Sequence, residues 1–147
     1  MSLKKITLVL CAFAISATKI FGQDGKIYFM RATGQPGGAI AFKAFINQSL
    51  VCHLNNNRYS VHSVSSGEHK VSVQFRGRSV KSKVEPLIIN VEPGKNCYVF
   101  MTFHPNEMAN RLYCLEVTEN SAKTILLKLT EDKKCLRRND VRAMGAQ

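Results

Sequence analysis

No GxSxG turn marks a nucleophile in this chain, no glycine-rich loop offers its backbone N–H groups to a phosphate, and no two cysteines stand in CxxC spacing. These absences remove the usual signature of serine hydrolysis, that of nucleotide binding, and the usual spacing of zinc ligands. Carboxylates are scarce as well, with 10 Asp and Glu against 21 Lys and Arg. Glu68, Glu92 and Glu116 fall at scattered strand ends, with no pairing of the kind that glycoside hydrolysis needs. The expectation is a protein that is not an enzyme and that carries no cofactor and no metal. A balance this basic bears on solubility and on attraction to polyanions, and says nothing about fold.

No apolar run reaches the roughly 20 residues of a membrane span. The run from Ile6 to Ala17, preceded by Lys4 and Lys5, instead has the length and flanks of a secretory leader. Residues 1–22 are read as a signal peptide cut after Gly22, which places the mature protein in the periplasm or outside the cell. Cys11 lies inside the apolar run behind Leu10, where a lipid-anchoring site resembles a small residue, so a soluble exported protein is expected. With Lys4, Lys5 and Lys19 gone, 18 of the 21 basic residues face 10 acidic ones, a formal charge of +8.

What the mature chain does have is alternation. In Gly67 to Phe75, Val71, Val73 and Phe75 alternate with Ser72 and Gln74, the period of a strand with one buried face. Turn residues punctuate further strands over Gly25–Arg31, Ala39–Asn47, Leu50–Leu54, Leu87–Val91, Asn96–His104 and Arg111–Val117. A strand containing Tyr59 and Val61 completes the set. Asn47-Gln48 suits a tight turn, Asn55-Asn56-Asn57 a hairpin whose backbone needs positive φ, and Glu92-Pro93-Gly94-Lys95 a type II turn. After Val117 the period becomes helical: Ala122, Ile125, Leu126 and Leu129 share one face, Ser121 is a candidate cap, and Lys133-Lys134 suit a helix C-terminus.

About eight short strands and one C-terminal helix, with no internal repeat, predict an all-β sandwich with a small helical appendage. A barrel is the alternative closure. The predicted domain covers residues 23–132, followed by a basic, frayed tail over 133–147.

Cys52, Cys97, Cys114 and Cys135 make an even number in an exported chain and admit disulfides in three connectivities. Each also fits as a small buried hydrophobe. His53 and His62 fall on the outward parity of two strands joined by the Asn55-Asn56-Asn57 turn, but no carboxylate on those strands supplies a third ligand. His69 shares parity with Val71 and reads as a hydrogen-bonded, partly buried side chain. A small hydrolase using His69 or His104 would need a partner carboxylate or cysteine in a cleft.

Positive charge gathers in two places: Arg76, Arg78, Lys81 and Lys83 on one loop, and Arg137 and Arg138 with Lys133, Lys134 and Arg142 at the tail. These are the candidate anion-binding residues, toward acidic polysaccharide or lipid head groups. Aromatic residues are not interleaved with them as stacking platforms, so nucleic acid is not an expected partner. The expected partners are an envelope protein or an anionic surface.

Four segments together resemble a known family: Lys26-Ile27-Tyr28-Phe29-Met30-Arg31, Phe45-Ile46-Asn47, Ser66-Gly67-Glu68-His69 and Pro93-Gly94-Lys95-Asn96-Cys97-Tyr98-Val99. They look like the bacterial domain-of-unknown-function family DUF2846, over Gly25 to Leu129. The resemblance implies a small exported or lipid-anchored β-sandwich, and brings no activity or catalytic residue with it. His69 stands where that family usually has a tyrosine, and no lipidation cysteine fits.

Overall fold

The computed structural model describes residues 23–34, 38–75, 85–104 and 111–136. In chain order the elements are β1 (Gly25–Arg31), β2 (Phe42–Ile46), β3 (Ser49–Leu54), β4 (Arg58–Val64), β5 (Gly67–Phe75), β6 (Leu87–Val91), β7 (Asn96–His104), β8 (Arg111–Val117), α1 (Glu119–Leu126) and β9 (Thr130–Glu131). They form a five-stranded sheet, β8-β7-β1-β4-β9, and a four-stranded sheet, β3-β2-β5-β6. The predicted all-β sandwich with one short helix is the architecture observed.

The turns follow the conformations their residues allow. Asn47 and Gln48 take φ of 48° and 69°, so the β2–β3 hairpin uses the left-handed region that a primed turn requires. Asn57 takes 55° as well, but the hairpin expected at Asn55-Asn56-Asn57 is not one: β3 and β4 belong to different sheets, and this turn carries the chain from one to the other. Gly94 at φ 69° and a Lys95 N–H donating to the Glu92 carbonyl at 3.1 Å complete the turn into β7.

The core lies between the sheets. β1 contributes Ile27 and Phe29, β2 Phe42 and Ala44, β3 Cys52 and Leu54, β5 Val71 and Val73, β6 Ile89 and Val91, and β7 Val99 and Met101, all buried. Each of the Val, Leu, Ile, Phe and Met side chains among them, taken fully out of water, contributes on the order of 1.5–3 kcal/mol. β1 pairs antiparallel with β4 and parallel with β7, so its partners come from distant parts of the chain.

A second apolar layer lies outside the five-stranded sheet. Ala122, Ile125 and Leu126 of α1, with Leu129 beyond its end, cover Met30, Tyr98, Tyr28 and Phe100; the apolar set is the one expected from the sequence, but the helix ends before Leu129. Met30 and Tyr98 are therefore buried although they point away from the sandwich core. The helix begins two residues before the expected cap. Thr118, extended at φ −66° and ψ 156°, accepts from the Ser121 N–H through its hydroxyl at 3.4 Å, so Ser121 is the residue capped. Capping needs a non-helical residue just ahead of the first turn, and Thr118 holds that place. Nor do Lys133 and Lys134 sit at the helix end: α1 stops at Leu126, and β9 intervenes.

Ala39–Asn47 is shorter as a strand than expected, reduced to Phe42–Ile46, and Ile40 is 48% exposed. β9 is an addition to the predicted set. Its two residues pair parallel with Arg58 and Tyr59 of β4.

Candidate functional site

The site with the most chemistry lies where β3 of one sheet faces β4 of the other. β4 is aligned with β1 so that Ser60 stands opposite Phe29 and His62 opposite Ile27. Residues directly opposite in an antiparallel pair share a face, so Ser60 and His62 point into the sandwich with two core side chains. The outward orientation expected for His62 is thus corrected: the helix covers the outer face of this sheet and takes the other parity, Tyr59, for its own apolar layer.

The chain after α1 closes this side. β9 docks on β4, the Asp132 N–H donates to the Tyr59 carbonyl at 2.8 Å, and the Asp132 carboxylate accepts from the Lys134 N–H at 3.2 Å. That turn delivers Cys135 to Cys52. Their sulfurs are at disulfide-bonding distance and their Cα atoms 4.9 Å apart, within the span a disulfide bridges. The Cys135 carbonyl also accepts from the His53 N–H at 2.8 Å. None of the three two-bridge connectivities is completed: Cys52–Cys135 is bonded, while Cys97 and Cys114, which would be its complement, stay as separate thiols.

His62 lies beside the bridge. Its Nε2 is 3.0 Å from the Ser60 hydroxyl, and its ring meets Phe29 edge to face with centroids 5.7 Å apart. Burial lowers its pKa from the ordinary histidine value, since charging the imidazole there would cost hydration. The donor atoms of Cys52, His62 and Cys135 all lie within 4.8 Å of one another. A cleft of about 600 Å³ opens at this point, lined by Ser60, His62, Glu131, Lys133 and Cys135 among others. A neutral imidazole lining a cleft beside Cys135, with Cys52 buried behind, can act as a base, or as a nitrogen ligand next to sulfur ligands once the bridge is reduced.

The other histidines have different surroundings. His69 is buried and held at both nitrogens: Asn47 Nδ2 approaches Nδ1 at 3.0 Å, and Nε2 approaches the Ser65 carbonyl at 2.8 Å. An amide NH₂ only donates and a carbonyl only accepts, so the tautomer with its proton on Nε2 satisfies both. This matches the hydrogen-bonded reading of His69. His53 alternates with the core residues Cys52 and Leu54 and so keeps the outward parity expected, though it is 7% exposed; because His62 faces the core from the other sheet, the two histidines do not share a face. His104 ends β7.

The candidate anion-binding residues Arg76, Arg78, Lys81, Lys83, Arg137 and Arg138 lie outside the described residues. Cys52 and Cys135 were not singled out by sequence reasoning, and 83 residues separate them. One signal was present: the amphipathic helix implied a covered outer sheet face, which frees the polar parity of β4 to turn inward.

No protein-family model matches the chain, and no curated protein matches it.

Proposed function

We propose that the protein is an exported, non-catalytic β-sandwich that acts through surface contacts in the bacterial cell envelope. The observation that carries this reading is the Cys52–Cys135 pair, because such bonds form and persist in oxidising compartments and are rare in a reducing cytosol. The leader-like residues 1–22 and the likeness to DUF2846 support the same compartment. Among the described residues no helix is long and apolar enough to cross a membrane.

Surface contact has its own support in β6. Among the described residues this strand pairs with β5 alone, carries no charged residue, and leaves Ile88 56% exposed. Edge strands that must stay single usually carry lysine, proline or a bulge.

Two measurements test the reading. Fractionation of producing cells, with N-terminal sequencing, is expected to find the protein outside the cytosol and beginning after Gly22; cytosolic protein with its leader intact removes the export claim. The purified mature protein is then incubated with envelope fractions at low and high salt. Salt-resistant capture of one protein supports a specific interface. Salt-sensitive capture by lipid or polysaccharide transfers the function to polyanion binding through residues 76–83 and the tail. No capture overturns the surface-contact reading.

A further inference from the structure

Cys52, His62 and Cys135 reach one point from three separate segments: β3, β4 and the turn after β9. Two sulfurs and one imidazole nitrogen are a donor set that suits soft and borderline closed-shell cations, whereas hard ions prefer oxygen. We propose that, once the Cys52–Cys135 bridge is reduced, these three side chains bind one thiophilic d10 cation, Zn²⁺ or Cu⁺, so that the cysteine pair alternates between a disulfide and a metal site. Both this proposal and the envelope reading start from the Cys52–Cys135 pair, but metal binding by the reduced pair is measured on purified protein and its outcome leaves the fractionation result untouched.

The geometry requires little movement. Around zinc, two thiolates with Zn–S bonds of about 2.3 Å stand roughly 3.7 Å apart. From Cα atoms 4.9 Å apart, side-chain rotation of the two cysteines covers that change. His62 is already close, with its donor nitrogen within 4.8 Å of both sulfurs. Ser60, with its hydroxyl 3.0 Å from His62 Nε2, orients the ring. His62 and Cys135 line the cleft of about 600 Å³, from which water can take the fourth position of a tetrahedron.

The chemistry balances with a dithiol as reductant. The dithiol gives two electrons and two protons to the Cys52–Cys135 bond and becomes a disulfide itself. The two thiols so formed release two protons when they bind the ion as thiolates.

The test uses the mature chain carrying Cys97→Ser and Cys114→Ser, so that the thiols in question are the only ones present. After reduction by a dithiol and its removal without air, Zn²⁺ is titrated in competition with a chromophoric chelator, and Cu⁺ likewise in a separate arm. The reduced protein is expected to take one equivalent of at least one of these ions, to protect both thiols from alkylation, and to keep its β-sheet circular dichroism. The oxidised protein is expected to take none. His62→Ala is expected to weaken binding at least about tenfold in the reduced protein. The proposal is overturned if the reduced protein binds neither ion, if His62→Ala binds as tightly as the parent, if the oxidised protein binds equally well, or if the reduced chain unfolds and neither ion restores it.

Discussion

The guanidinium carbon of Arg31 stands 3.5 Å from the ring centroid of Phe42, joining β1 of one sheet to β2 of the other through a fully buried cation. Arg31 Nη1 donates to the Leu54 carbonyl at 2.8 Å and Nε to the Thr33 hydroxyl at 3.2 Å. Burial pulls the Arg31 pKa down to about 10, so the core tolerates this charge through the fork of donors and the aromatic face. A lysine has the charge without the fork or the flat stacking surface. Arg31→Lys is expected to lower stability by about 2–3 kcal/mol, with the lost hydrogen bonds and ring contact both counting. Urea unfolding measures it, and a midpoint equal to that of the parent would show that the ring and the two acceptors do not depend on the guanidinium.

The turn between β2 and β3 offers a change in the other direction. Gln48 holds φ 69°, a region that an ordinary L-residue enters at a cost of roughly 1–2 kcal/mol. Gln48→Gly removes that cost but loosens the unfolded chain, for a net gain expected near 0.5–1 kcal/mol. Asn47 should stay as it is, because its Oδ1 accepts from the Lys70 N–H at 2.9 Å while its Nδ2 meets His69. A rise in thermal midpoint for Gln48→Gly checks the argument, and a fall would contradict it.

Thiol reactivity should separate Cys52, Cys97, Cys114 and Cys135. Burial pushes the Cys114 thiol up to about 12, and burial, with Glu116 and Glu92 nearby, raises that of Cys97. The thiolate is the reactive form, so neither should be alkylated in the native protein at mildly alkaline pH while free cysteine reacts. Denaturation without reductant should expose Cys97 and Cys114 alone, and reductant should add Cys52 and Cys135. Intact-mass measurement reads each state directly.

Stability should also fall with acid through His62. Its pKa in the folded protein is lowered by burial, so as pH drops the unfolded chain takes up this proton first. The contribution is complete above the unfolded histidine value near pH 6.5, is lost as pH falls through it, and levels off once the folded imidazole is itself charged. His62→Gln should therefore show a shallower decline in urea midpoint between about pH 7.5 and 5 than the parent does. Equal slopes would mean that His62 is as well hydrated in the fold as in the unfolded chain.

Strand positions were readable wherever alternation and turn chemistry agreed. Gly25–Arg31, Gly67–Phe75, Leu87–Val91, Asn96–His104 and Arg111–Val117 are observed with the ends expected. Ala39-Ile40-Ala41 misled because apolar composition is not burial: Ala41 is covered, whereas Ile40 is exposed. β9 left no pattern, since a two-residue strand exists only by docking beside Arg58 and Tyr59. Of the site, the sequence placed Ser60 and His62 on one face of β4, and the structure turned that face inward.

By itself the sequence determined the local geometry. Period-two alternation made the strands, asparagine and glycine at positive φ made the turns, and the shift to helical spacing after Val117 made α1. Only the tertiary structure decided which cysteines meet and which way His62 points. A strand's period sorts its residues into two faces without saying which one is covered, and that depends on what packs against each side. Cys52 and Cys135, 83 residues apart, have no local interaction to announce them; they meet because β9 docks on β4 and β4 faces β3.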